Sequence, residues 1–262
     1  MSAIILRDEI VHYEVLGRGR PVFFLHDWVG SWRYWIPCMQ AASMSFRAYA
    51  LDLWGFGDTG KNPNFYSIEQ QFSLLDEFVD AQGIGKIALV GHGLGAVIAM
   101  LYATRRPAMV DRVMAIALPE GQSSINPRLH LSTPLELADW LLGRTSATEA
   151  AYVDAPKADP KAVLLSLTSL QGINLASLPV KAGVPSLLVY GGNDPAILSP
   201  NSSHLDGMPE LVHSIQFDGL GHFPMLEDPA RFNRLLVDFL SLGSGESTRQ
   251  LQLKEEWKRR VR

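Results

Sequence analysis

Short apolar strands that alternate with amphipathic helices constrain the fold of this chain more than any other feature. "VFFLH" (residues 22–26), "IALVG" (residues 87–91) and "LLVYG" (residues 187–191) are apolar runs without the polar alternation of a half-exposed strand. Such runs are typical of parallel strands that are buried on both faces. Helical patterns at residues 67–82 and 94–105 lie between them, so the sequence predicts an α/β fold with a mostly parallel sheet covered by helices.

Composition indicates a globular protein, and the net charge argues against nucleic acid as a partner. The chain has 262 residues, of which 47% are hydrophobic and 19% charged, and its net charge of −4 gives no general attraction to nucleic acid. It shows neither a signal peptide nor an apolar run of ~18 residues, so we expect a cytoplasmic protein without a transmembrane segment. The single cysteine, Cys38, excludes an internal disulfide, and its apolar surroundings favour a buried residue over a nucleophile.

The alternation of strands and helices is interrupted by about 60 residues that show helical patterns only. A shorter basic stretch ends the chain, with cations beside Leu251, Leu253 and Trp257. We interpret it as a solvated helix that lies on its own domain, with binding to an acidic membrane or partner as the alternative. The sequence therefore divides into an α/β core (residues 1–118 and 180–242), a helical lid (residues 119–179) and a basic tail (residues 243–262).

One stretch matches a nucleotide-binding pattern but lacks its context. Residues 55–60, "GFGDTG", satisfy G-x-G-x-x-G after a strand, yet "KNPNF" follows, which predicts a loop and not the required helix. Histidines are scattered and no cysteine pair exists, so no metal-ligand spacing is present. We therefore expect neither a cofactor nor a metal ion.

Five short motifs follow predicted strands in a fixed order. Together they resemble the α/β-hydrolase superfamily over residues 3–242. That resemblance implies an α/β-hydrolase fold, with a mostly parallel eight-stranded sheet flanked by helices, a short helical lid, and the order elbow, acid, histidine along the chain. The motifs are "FFLHDW" (23–28), "LDLWGFGDTG" (51–60), "VGHGLGA" (90–96), "GGNDP" (191–195) and "GLGHF" (219–223).

The resemblance also assigns catalytic positions, and the residue at one of them has no reactive side chain. Gly93 stands where this family has its serine nucleophile, in a strand–turn–helix elbow whose small neighbours match Gly91 and Gly95. Asp194 matches the acid that orients the histidine, and His222 matches the base. Glycine has no side chain that could react, and it adopts the positive φ expected at an elbow without the penalty of a Cβ atom. We therefore expect Gly93 to have a positive φ and to face His222 across a small gap.

A second departure from the family lies at Asp27, because the residue after His26 is usually glycine. The resemblance places the backbone N–H groups of Trp28 and Leu94 at the oxyanion position, with His26 and His92 nearby. A carboxylate that points inward would oppose a developing oxyanion, whereas one that points outward would be a turn residue. A further alternative is that Asp27 is itself a nucleophile, because "HDW" occurs at the elbow of dehalogenase- and epoxide-hydrolase-like relatives. Against it, Asp27 is flanked by Leu25 and Val29 and not by an elbow's small residues, and it follows the wrong strand.

Three functions remain open at this point, all with a small-molecule ligand. In the first, His222 and Asp194 activate a water molecule in the space beside Gly93, which gives slow hydrolysis without a covalent intermediate. In the second, His222 moves a proton of the substrate itself, as in a lyase. In the third, the protein binds a ligand without turnover. A largely apolar ligand is indicated by lid residues Leu131, Leu135, Trp140, Leu141 and Leu142.

Overall fold

The computed structural model of the chain describes residues 2–200, 207–243 and 246–253. Its strands are β1 (Ser2–Leu6), β2 (Glu9–Gly17), β3 (Arg20–Leu25), β4 (Phe46–Leu51), β5 (Ile87–His92), β6 (Val110–Ile116), β7 (Ser186–Gly191) and β8 (Val212–Phe217). Its α-helices are α1 (Ile36–Ala42), α2 (Ile68–Ala81), α3 (Leu94–Arg105), α4 (Arg128–Leu131), α5 (Pro134–Leu141), α6 (Glu149–Asp154), α7 (Pro160–Thr168), α8 (Leu178–Ala182), α9 (Pro224–Glu227) and α10 (Pro229–Ser241).

All eight strands form one sheet, in the order β1-β2-β4-β3-β5-β6-β7-β8. β2 pairs in antiparallel fashion with β1 and with β4. The remaining neighbours, from β4 through β3 to β8, pair in parallel. The mostly parallel eight-stranded sheet that the sequence predicts is therefore confirmed.

Two glycines allow the helix after the central strand to pack directly on the sheet. Every residue of β5 is buried, and so is most of α3. A Cβ on Gly91 would overlap the carbonyl group of Gly95, and a Cβ on Gly95 would overlap the carbonyl group of Leu25. Neither position has room for a side chain, because the turn between β5 and α3 is tight.

The parallel strands bring several loops to one edge of the sheet. The carboxyl ends of β3, β5, β7 and β8 all point in the same direction. The loops that follow these strands carry Asp27, Gly93, Asp194 and His222 in turn. Residues that are nearly 200 positions apart in the chain therefore meet at this edge, where ligands of open α/β sheets bind.

The segment between β6 and β7 contains short α-helices and 3₁₀ turns. Its longest helix, α7, and the two residues that flank it, Asp159 and Ser169, are bonded to the core. Trp28 Nε1 donates to Ser166 Oγ (3.0 Å), Tyr66 Oη donates to Asp159 Oδ2 (2.8 Å), and the Ile68 N–H donates to Ser169 Oγ (2.9 Å). Two residues that we expected to line an apolar pocket face solvent instead, since Leu131 is 84% exposed and Leu135 is 42% exposed.

Other local predictions can be compared with the structure. Residues 55–60 form a loop closed by the Gly55 N–H bonded to the Gly60 carbonyl (3.0 Å), as the absence of a following helix predicts. The helix expected from Trp32 begins with a 3₁₀ turn, and α1 follows it. The basic tail beyond residue 253 lies outside the described residues. Within the described part of the chain, no helix combines the length and hydropathy needed to cross a membrane.

Candidate active site

Gly93 forms the turn between β5 and α3 in a conformation that favours glycine. Its φ is +49° and its ψ is −106°, and its N–H donates to the Ile116 carbonyl group (2.9 Å). L-residues with a side chain rarely adopt such a conformation. The predicted positive φ at Gly93 is confirmed.

The space beside Gly93 is filled by the carboxylate of Asp27. A Cβ built on Gly93 would overlap Oδ1 of Asp27, and the side chain of Asp27 has no exposed surface. Asp27 therefore points inward, which settles the alternative that the sequence left open. The expectation of a gap that holds a water molecule beside Gly93 was wrong, because a side chain from the neighbouring loop takes that volume.

Backbone N–H groups hold the Asp27 carboxylate at the expected oxyanion position. The Leu94 N–H donates to Oδ1 (3.2 Å), and the Trp28 N–H also bonds to the carboxylate and lowers the pKa of Asp27. These are the two groups that the resemblance assigned to a developing oxyanion. In this structure they bind a permanent anion that belongs to the protein.

His222 lies between two carboxylates and bonds to both. Its Nδ1 is 2.7 Å from Asp194 Oδ2, and its Nε2 is 3.1 Å from Asp27 Oδ2. Each ring nitrogen faces an acceptor, so both nitrogens carry a proton and the ring is an imidazolium. Burial disfavours that charge, but the charges of Asp194 and Asp27 outweigh burial and raise the pKa of His222 to about 10.

Both carboxylates are ionised in this arrangement. Burial opposes the ionised form of each, yet the charge of His222 and hydrogen bonds lower the pKa of Asp27 and of Asp194. Asp194 Oδ1 also accepts the N–H groups of Ala196 (2.8 Å) and Ile197 (3.1 Å). In this charge state His222 has no free lone pair, so it cannot accept a proton from water until it loses one.

Two further predicted residues, His26 and His92, support the site as neutral rings. His26 Nε2 accepts the Leu53 N–H (3.0 Å), so its Nδ1–H donates to the Asp27 carbonyl group (2.7 Å). Burial lowers the pKa of His26 and, to about 4, that of His92. The structure therefore brings the predicted site residues together at one place, where all except Gly93 are joined by hydrogen bonds and Gly93 adjoins the Asp27 carboxylate.

Sequence reasoning missed the role of Tyr34 in this cluster. The sequence showed Tyr34 only as one aromatic residue among several tryptophans. In the structure its hydroxyl accepts the Asp27 N–H (2.9 Å) and lies 3.1 Å from His92 Nδ1. No spacing rule points to such a contact, because it depends on the path of the loop after β3.

The cluster also contains atoms that are spaced closely enough to share a metal ion, on Asp27, His92 and His222. Each ring nitrogen of His92 and His222 already has a hydrogen-bond partner in the protein. A metal ion would therefore have to displace existing protons or bonds. The arrangement as it stands is a carboxylate–imidazolium–carboxylate line, in which the N–H groups of Trp28 and Leu94 bond to the Asp27 carboxylate.

Comparison with known proteins places these features in a family. The sequence profile of the alpha/beta hydrolase family matches residues 22–235. A protein of Stutzerimonas stutzeri named for carbamate hydrolysis, RutD, is 26% identical over 90% of this chain and 98% of its own length. A RutD protein of Escherichia coli is 28% identical over 81% of this chain and 88% of its own length.

Solved structures show the same fold at lower identity. The enol-lactonase from Burkholderia xenovorans superposes with a TM-score of 0.79 at 18% identity and covers 92% of this chain and 100% of its own. A serine-to-glycine mutant of the N-acyl homoserine lactonase AidH, complexed with N-hexanoyl homoserine lactone, gives a TM-score of 0.78 at 19% identity, over 91% of this chain and 96% of its own. The family profile, the sheet and the elbow agree, and the chain belongs to the alpha/beta hydrolase family.

Proposed function

We propose that this protein is a hydrolase in which the carboxylate of Asp27 is the nucleophile, assisted by His222 and Asp194. The observation that carries the proposal is that Asp27 fills the volume of a side chain at position 93. It contacts there the groups that serve a nucleophile in this fold, the Leu94 N–H and His222 Nε2. Asp27 follows β3 and not β5, but its side chain reaches the elbow, so the objection from strand position does not hold.

The first step uses the oxygen atom that faces His222. Asp27 Oδ2 attacks a carbon atom of the substrate, the bond to the leaving group breaks with its electron pair, and an ester forms on Asp27. Esterification removes the negative charge of Asp27, which is one of the two charges that raise the pKa of His222. His222 then loses its Nε2 proton to the leaving group or to solvent, and becomes a base when one is required.

The second step hydrolyses that ester. Neutral His222 takes a proton from water, the water oxygen bonds to Cγ of Asp27, and negative charge develops on Oδ1. The backbone N–H groups of Leu94 and Trp28 already bond to the carboxylate, so they stabilise this oxyanion. The bond between Cγ and Oδ2 then breaks, and the departing alkoxide takes the proton from His222 and leaves as the alcohol. The proton that remains on the new carboxyl group of Asp27 passes to His222 Nε2, which restores the carboxylate and the imidazolium.

This geometry favours displacement at a saturated carbon over attack on a carbonyl group. A carbonyl substrate needs donors for its own oxyanion, and loss of one such donor costs about 3 kcal/mol. Here Asp27 Oδ1 occupies those donors. The two carboxylates and one imidazolium also leave a net negative charge, which disfavours anionic substrates. We therefore propose a small, neutral and largely apolar alkyl electrophile, such as an epoxide or a haloalkane, as the substrate class.

Access requires the helical insertion to move as a lid. Neither the Asp27 side chain nor the His222 side chain has exposed surface in the closed arrangement described here. Trp28, which contributes a backbone N–H to the site, is bonded through its ring to Ser166 of the insertion. Displacement of that segment would uncover the carboxylate from one side.

The test is a comparison of alkyl and carbonyl probes. We expect the protein to hydrolyse styrene oxide or bromobutane faster than p-nitrophenyl acetate or methyl carbamate, the last chosen because the RutD relatives are named for carbamates. Asp27→Asn should lower the rate with the alkyl probes at least ~10³-fold, because an amide is a poor nucleophile. Asp76→Asn is the matched control, since Asp76 pairs with Arg106 outside the site. Equal activity of Asp27→Asn and the unmodified protein would overturn the proposal.

A second candidate function, ligand binding without turnover, is favoured by one observation. The site is fully enclosed, and its groups are satisfied by one another. If the protein hydrolyses none of these probes but its melting temperature rises with a small apolar ligand, the binding function is the better account.

A further inference from the structure

Four buried residues of the site form a closed ring of hydrogen bonds. The Asp27 N–H donates to Tyr34 Oη (2.9 Å), and Tyr34 Oη lies 3.1 Å from His92 Nδ1. His92 Nε2 lies 2.8 Å from the His222 carbonyl oxygen, and His222 Nε2 lies 3.1 Å from Asp27 Oδ2. All four residues are at most 1% exposed, so water does not compete for these bonds.

The direction of each bond in the ring follows from its acceptors. The His222 carbonyl group can only accept, so His92 Nε2 carries a proton. Burial keeps His92 neutral by lowering its pKa to about 4, and its Nδ1 is therefore an acceptor. The Tyr34 hydroxyl accepts the Asp27 N–H and donates its own proton to His92 Nδ1. The hydroxyl keeps this proton, because burial raises the pKa of Tyr34 well above its usual value.

We propose that Tyr34 is a positioning residue, which sets the separation between the Asp27 carboxylate and the His222 ring. Its hydroxyl holds the main chain of Asp27 directly and the main chain of His222 through His92. The ring thus joins the loop after β3, the end of β5 and the loop after β8. The same two residues, Asp27 and His222, then meet again through their side chains.

Packing alone would not require a tyrosine at this position. The aromatic ring of Tyr34 packs against Trp35 and edge-on against Phe223, contacts that a phenylalanine ring would keep. Only the hydroxyl takes part in the ring of hydrogen bonds. Its removal leaves the Asp27 N–H and His92 Nδ1 without partners in a buried site, which favours rearrangement of the loop.

The experiment compares Tyr34→Phe with Tyr190→Phe by proton and nitrogen NMR of the histidine rings. Tyr190 is the matched control, because its buried hydroxyl donates to the Leu118 carbonyl group outside the ring. We expect Tyr34→Phe to shift the low-field ring protons of His222 and to speed their exchange with water. Tyr190→Phe should leave them unchanged. Unchanged His222 resonances in folded Tyr34→Phe would overturn the inference.

A second measurement covers the case in which Tyr34→Phe does not fold. In the unmodified protein at neutral pH, long-range proton–nitrogen correlations should show His92 as the neutral Nε2–H tautomer. An Nδ1–H tautomer or an imidazolium at His92 would overturn the inference.

The effect on turnover rests on the proposed function, whereas the NMR signatures do not. With the alkyl probe that the protein hydrolyses best, Tyr34→Phe should lower kcat roughly 10- to 100-fold and leave KM unchanged, since loss of the hydroxyl misplaces the reacting groups without removing a contact to substrate. If the NMR signatures change and no probe is hydrolysed, the proposed function fails and the positioning role stands. A raised KM with unchanged kcat would contradict the positioning role.

Discussion

The carboxylate of Asp27 lies where a side chain of residue 93 would be, so an aspartate at position 27 requires a glycine at position 93. The two departures from the family pattern are therefore coupled. The sequence shows each of them, but their relation depends on a side-chain direction that no local pattern encodes. The contact of His222 with Asp194 could be predicted from the two motifs, whereas its contact with a second carboxylate could not, since that carboxylate comes from a loop 195 residues away.

A double substitution tests this coupling. Gly93→Ser alone should lower the free energy of unfolding by roughly 2–4 kcal/mol in thermal or urea unfolding. The new Cβ would overlap Asp27, and serine would have to adopt the positive φ of residue 93, which is strained for a residue with a side chain. This variant should not react with a serine-directed fluorophosphonate. Asp27→Gly combined with Gly93→Ser should recover stability and be labelled at residue 93, where the oxyanion N–H groups and His222 become available. Asp27→Gly alone is the control, and labelling of the Gly93→Ser single variant would contradict the overlap.

The charge of His222 gives a second prediction at this scale. An NMR titration should show the His222 ring protonated at neutral pH, with a midpoint near its pKa of about 10. Asp27→Asn should lower that midpoint, because one of the two carboxylate charges is lost. His213, a half-buried histidine outside the site, serves as the internal control. A midpoint near 6.5 for His222 in the unmodified protein would refute the imidazolium assignment.

At the scale of elements, the chain pattern predicts the core helices better than it predicts which leucines of the insertion are buried. α3 begins and ends where the sequence indicates, and Ser67 caps α2 with its hydroxyl bonded to the Gln70 N–H (3.4 Å). These elements have strong periodicity or a recognisable cap. The insertion has short helices whose positions depend on tertiary bonds, such as those of Ser166 and Ser169 with the core. Its leucines at positions 131 and 135 face outward for the same reason.

The two longest helices of the insertion, α5 and α7, differ in the number of hydrogen bonds that join them to the core, so they should differ in how readily they unfold locally. α7 and the residues that flank it are bonded to the core by side-chain hydrogen bonds, whereas α5 packs mainly against α6 and the adjoining 3₁₀ turn. Hydrogen exchange followed by mass spectrometry should therefore show faster exchange in α5 than in α7. Ser166→Ala should speed exchange in α7 and leave α2 unchanged. Faster exchange in α7 than in α5 in the unmodified protein would contradict this picture of the lid.

For the whole molecule, the buried charges link stability to pH. His222 has a raised pKa, so its stabilisation is complete below pH 6.5 and is lost as the pH rises through about 10. Asp27 and Asp194 have lowered pKa values, so their stabilisation is lost in acid. His92, which stays neutral to about pH 4, also favours unfolding below pH 6.5.

The free energy of unfolding should therefore fall between pH 7 and pH 10. The expected slope is about 1.4 kcal/mol per pH unit for each proton that the folded state retains. His12, whose pKa is also raised by Asp52 despite burial, adds a slope of the same sign. Urea unfolding at several pH values should show a shallower slope for Asp27→Asn, in which His12 is unaltered. An equal slope in the two proteins would show that the contact between Asp27 and His222 is not a charged pair.

The most direct test of the role of Asp27 follows one oxygen atom. The protein, in excess over styrene oxide or bromobutane, is allowed a single turnover in ¹⁸O-labelled water, and the peptide that contains Asp27 is analysed by mass spectrometry. If Asp27 forms the ester, hydrolysis at Cγ places one heavy oxygen atom in its carboxylate and leaves the product alcohol unlabelled. Turnover that puts the label in the product and none in Asp27 would contradict the account.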